Sequence, residues 1–158
     1  MIAPLTLGLA MFLMSLCVQS VPIGILIRIA TSKHPRSWTR PSYAANFVLI
    51  QMFALLLVLA QLVNVALWAV LLFVCGEFAD FPTAYYHSAV NYSSLGYGDI
   101  VMSARWRLLG PLEAIDGVVM FGISTALIFA LTMRFIERRL KVTEQKTADH
   151  ESPTGNRM

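Results

Sequence analysis

Six consecutive residues, Ser94-Leu95-Gly96-Tyr97-Gly98-Asp99, carry the clearest chemistry in this sequence. Glycine takes positive φ without a Cβ penalty. Gly96 and Gly98 stand at alternate positions, so successive carbonyls of this strand can face one axis. Rings of such carbonyls can replace the water shell of a small cation. Further along, Glu113 and Asp116 are spaced i, i+3 and so share one helix face. His87 reads either as a proton sensor or as a neutral, hydrogen-bonded histidine. Cys17 and Cys75 sit in separate apolar runs with no CxxC or Cys/His cluster, which argues against a metal framework. No Ser/His, Cys/His or metal set is placed for catalysis, so the chain reads as no enzyme and needs no cofactor.

The elements that must position these residues are membrane helices. Of 158 residues, 57% are hydrophobic and only 13% charged. A soluble domain is nearer one quarter charged, so soluble enzymes and nucleic-acid binders fit poorly. Met1 to Ile27 carries no charge and is long enough to span a bilayer. A cleaved signal would need a basic start and a shorter apolar core. Pro41 to Gly76 is a second charge-free run of 36 residues, which fits one long tilted helix. Its Asn46, Gln51, Gln61 and Asn64 read as hydrogen-bonding partners for neighbouring helices. Asp80 and Pro82 mark a helix start, and the segment to Tyr92 is too short to cross. It must enter and turn back, or lie at the surface. A third apolar segment runs from Leu108 to Met133 and ends in Arg134, Arg138, Arg139 and Lys141.

Net charge is +3, but placement matters more. Four of the twelve Lys and Arg lie between Arg28 and Arg40, and six lie at or beyond Arg134. Basic flanks face the cytoplasm. That puts the N-terminus and the Glu77 to Arg107 region outside, and the C-terminus inside.

The segment Ser94 to Asp99 resembles the T-V-G-Y-G-D selectivity filter of potassium channels. With its preceding short helix, the following Trp106 and the apolar helix beyond, the resemblance covers roughly residues 42 to 135. It is similar to small bacterial members of the two-helix-pore superfamily, with the first helix an addition. The resemblance implies K+ held by carbonyls of Ser94, Leu95, Gly96 and Tyr97, with the Ser94 hydroxyl completing the innermost cage and Gly98 closing the filter. It implies filter support from Asp99, Tyr86, Asn91 and Trp106. Ser94 replaces the usual Thr, Leu95 the usual Val or Ile, and Tyr86 a Trp that bonds the post-filter Asp. A Tyr hydroxyl can serve Asp99 in the same way.

On the inner helix, Glu113 and Asp116 remain open to two readings each. Either acid faces the cavity and concentrates cations, or it is buried structural glue; Glu113 would then bond Asn91 or Tyr92. Counting from the filter suggests Val119, Gly122, Ala126 and Ala130 as cavity lining. Gly117 or Gly122 is the candidate gating hinge, although spacing alone does not separate lining from packing.

The expected architecture is an all-α membrane protein with three transmembrane helices, a re-entrant pore helix and a filter loop. The first helix covers 1–28, a basic cytoplasmic loop 29–41, the pore domain 42–135 and a disordered cytoplasmic tail 136–158. Within the pore domain the outer helix covers 42–76, the pore helix 81–92, the filter 94–99 and the inner helix 108–135. Each chain offers one filter strand, so a homotetramer in a lipid bilayer is implied, conducting K+ across the cell (inner) membrane. A weakly selective cation channel and a non-conducting subunit that modulates a partner are the alternatives.

Overall fold

The computed structural model describes residues 2–31 and 43–151. The stretch 32–42, with most of the expected basic loop, and residues 152–158 lie outside the described residues. Four helices follow in order: α1 (Ile2–Thr31), α2 (Tyr43–Val74), α3 (Phe81–Tyr92) and α4 (Leu109–Glu151). Among the described residues there is no β-sheet, and residues 94–99, called the strand below, form an extended segment outside any helix. Three of the helices, all but α3, are long and apolar enough to cross a membrane.

Each boundary has a local cause. The α2 helix is closed just beyond Val74 by Gly76, whose φ of +69° is the left-handed turn that glycine allows. The Gly76 amide bonds the Phe73 carbonyl and the Glu77 amide the Leu72 carbonyl, which is the Schellman closure. Asp80 caps α3 by accepting from the Thr83 amide at 2.9 Å and the Thr83 hydroxyl at 3.0 Å. Twelve residues give α3 a length of about 18 Å, well short of a hydrocarbon core of about 30 Å.

The α4 helix corrects one expectation. Residues 136–151 continue it as helix, where a disordered tail was expected from 136. Apolar periodicity does fade there. The segment nevertheless holds no Gly or Pro and is rich in Glu, Arg, Lys, Leu and Gln, which favour helix even when solvated. Glu137 and Lys141 are spaced i, i+4 in the favourable order.

Packing occurs in layers along the helix axes. At one end Val65, Trp68, Leu72, Tyr92, Leu109 and Met120 form an apolar cluster against Leu7, Met11 and Phe12 of α1. At the other end Phe53, Leu57, Leu131 and Phe135 pack against Leu26 and Ile29. Between these clusters, α1, α2 and α4 each contribute buried polar residues: Gln19, Gln61 and Ser124. Contacts between α1 and α4 rise in step, Gly8 with Leu112, Ser15 with Asp116 and Gln19 with Ser124. The two helices therefore run parallel, and the start of α1 lies at the end that carries α3 and the loop after it.

Candidate functional site

The end of α3 is built to reverse the chain. The Ser94 amide bonds the Asn91 carbonyl at 2.8 Å, and the Leu95 amide bonds the Val90 carbonyl at 2.9 Å. Beyond this turn the backbone alternates. Ser94 has φ +59°, Gly96 +61° and Gly98 +72°. Glycine explains two of these positions. Ser94 is the only non-glycine with positive φ among the described residues, and residue type gave no warning of it. A left-handed residue at every second position turns successive carbonyls the same way. A cation ladder requires that geometry.

The strand is held from its outer side. The Tyr86 hydroxyl donates to Asp99 at 2.8 Å, the bond the resemblance implied for this pair. The other Asp99 oxygen accepts from the Ile100 amide at 3.1 Å. Bonding to the carboxylate raises the Tyr86 hydroxyl above its ordinary pKa. A second latch lies further out, where Glu77 accepts from both the amide and the hydroxyl of Ser103. Residue type alone did not single out Glu77. Its only warning was an acid just after a helix-ending glycine.

His87 is buried beside Phe78, with ring centroids 4.9 Å apart, and its Nε2 lies 2.8 Å from the Asn91 amide. Burial lowers its pKa below the usual histidine value. That favours the neutral, hydrogen-bonded reading. Trp106 packs on the apolar cluster at this end and carries the Arg105 guanidinium 4.9 Å above its ring. A cavity of about 570 Å³ lies behind the strand, lined by Val90, Asn91, Ser94, Gly96, Gly110 and Ala114 among others.

The two inner-helix acids separate. Glu113 is fully buried and accepts from the Ser88 hydroxyl of α3, with Asn91 flanking the same carboxylate. Its hydroxyl partner is thus Ser88 and not Tyr92. Asp116 is also fully buried, and here the cavity reading is corrected. Its Oδ2 accepts from the Ser15 hydroxyl at 2.6 Å and from the Trp68 indole at 2.8 Å. The side chain points into the α1–α2–α4 interior, because a step of i+3 on a helix swings it about 60° from Glu113.

Gly117 is likewise a packing residue. A Cβ there would stand 1.9 Å from the Tyr92 carbonyl oxygen, so only glycine lets α4 pass the end of α3. Val119, Gly122, Ala126 and Ala130 lie on the opposite, open face of α4. Gly117 is thus packed against α3, whereas these four residues make no buried contact within the chain.

The profile of the ion channel family matches residues 47–134, more than half of the chain, and the chain belongs to that family. The match takes in α2, α3, the strand and the apolar part of α4, whereas α1 precedes it. No curated protein and no solved structure matches the chain. Family and spans together define a multi-pass membrane protein that passes ions passively.

Proposed function

We propose that four copies of this chain form a potassium-selective pore in the cell membrane. The alternation of positive φ at Ser94, Gly96 and Gly98 carries this reading. Each chain supplies one quarter of each carbonyl ring, from Ser94, Leu95, Gly96 and Tyr97, and K+ is the transported cargo. Asp99, Tyr86 and Asn91 brace the filter from behind, and Trp106 anchors the loop that follows. Val119, Gly122, Ala126 and Ala130 line the cavity below, with Gly122 as the flexible point of α4.

Exposure in the single chain supports assembly. Leu95 is 54% exposed and Tyr97 66% exposed. Large apolar side chains left open beside a strand call for a neighbour to cover them. The test is rubidium uptake into proteoliposomes with sodium as competitor, together with native mass spectrometry. Uptake that ignores sodium and a four-chain mass are expected. Equal sodium and rubidium entry would favour a weakly selective cation channel. A monomer without uptake would leave only the modulating-subunit reading.

A further inference from the structure

In a bilayer, apolar helix faces gain little by leaving lipid for each other, so polar side chains fix which helices pack and in what register. The face that α1 turns inward holds Pro4, Gly8, Ser15, Gln19 and Pro22, and its other faces are largely exposed and apolar. Its two inward polar residues both reach α4. Ser15 donates to Asp116 at 2.6 Å, and Gln19 donates to the Ser124 hydroxyl at 3.0 Å.

Ser124 does not stop the chain of contacts. The Gln61 amide of α2 donates to the same hydroxyl at 2.7 Å and to the Met120 carbonyl at 3.2 Å. The Gln61 oxygen accepts from the Tyr92 hydroxyl at 2.8 Å, which in turn accepts from the Asn64 amide at 3.1 Å. Tyr92 is the last residue of α3 and stands two positions before Ser94. Its ring meets Phe121 at 5.8 Å, and its carbonyl is the one that Gly117 accommodates. One continuous buried path thus leads from α1 through α4 and α2 to the inner end of the filter.

We propose that α1 is a working part of the pore, with Ser15 and Gln19 as positioning residues. They hold α4 against α2 and, through Ser124, Gln61 and Tyr92, steady the inner end of the filter. The channel reading above underlies this role. Removing Gln19 frees Ser124 from α1 and loosens the path that anchors Tyr92, so the conducting filter is held for shorter periods. Ion preference should not change, because no carbonyl of the strand is touched.

The test is single-channel recording of the full chain in planar bilayers, on protein confirmed as assembled. Gln19→Leu removes the bond at similar size, and Tyr92→Phe removes the hydroxyl while keeping the ring. Each is expected to shorten mean open time by about three- to twenty-fold, the range of interhelical hydrogen bonds in membranes. Unit conductance and potassium preference should match the parent. The double variant should shorten open time less than the product of the two single effects, because both break one path. Ser15→Ala with Asp116→Asn gives a second cycle, and it serves alone if Gln19→Leu does not assemble. Unchanged or longer open times, or multiplicative effects in the double variants, would overturn the role of α1. A parent protein that passes no current would instead overturn the channel reading.

Discussion

Gly96 and Gly117 are both glycines for a reason, and the two reasons predict different failures. A Cβ on Gly96 would meet nothing within 4 Å, but its φ of +61° is one that L side chains resist by about 1–2 kcal/mol. Gly96→Ala should therefore assemble and lose potassium preference, read as sodium competing with rubidium uptake. Gly117→Ala meets a backbone oxygen at 1.9 Å, so it should fail to give assembled protein on size exclusion. A second expectation concerns His87. Its folded pKa lies below the ordinary value of about 6.5, so the unfolded chain binds the proton more readily. Stability is full above that value and is lost as pH falls below it. Thermal melts should show this acid loss in the parent and less of it in His87→Gln. The alternating glycines were legible from the spacing of Gly96 and Gly98, and the Tyr86–Asp99 bond from the resemblance. The partner of Asp116 was not, since Ser15 lies 101 positions away and a helix face does not announce what packs on it.

Among elements, α3 shows what local sequence can specify. Asp80, Pro82 and Thr83 set its start, and its two Asp80 bonds are the caps those residue types predict. Asp80→Ala should cost about 1 kcal/mol per chain, as lost N-caps do. Thermal unfolding of the assembled protein should register it, while ion preference in the folded fraction stays with the strand. An unchanged melting temperature would mean that packing of Ala84, Ser88 and Tyr92 holds α3 without its cap. The reach of α4 to Glu151 was less legible, because it depends on helix propensity and not on an apolar stripe. The polar layer lay between these cases. Gln61 and Asn64 stood out as interruptions in an apolar run, and both do bond neighbouring helices. Gln51 interrupts the same run and is exposed.

For the whole molecule, the parallel course of α1 and α4 fixes which ends lie together. The start of α1, the proposed filter segment and the Glu77–Ser103 latch share one end, and Arg28 and Arg134 lie towards the other. Of twelve Lys and Arg, only Arg105 and Arg107 fall between α3 and α4, and the other ten lie in the last turn of α1, in the stretch after it, or at and beyond Arg134. Basic residues near span ends are retained on the cytoplasmic side. The filter end should therefore face outward. A phosphatase reporter, active only outside, is expected to work when fused at Met1 and to be silent after Met158. A fluorescent reporter that folds only in the cytoplasm should give the reverse. If both termini read inside, an even number of spans would be required, and the parallel packing of α1 on α4 could not exist in the membrane. If both readings invert together, the packing survives but the filter faces the cytoplasm, and charge placement has lost to some other determinant. The helix register and the charge bias are independent observations, so agreement of both reporters with one orientation tests each against the other.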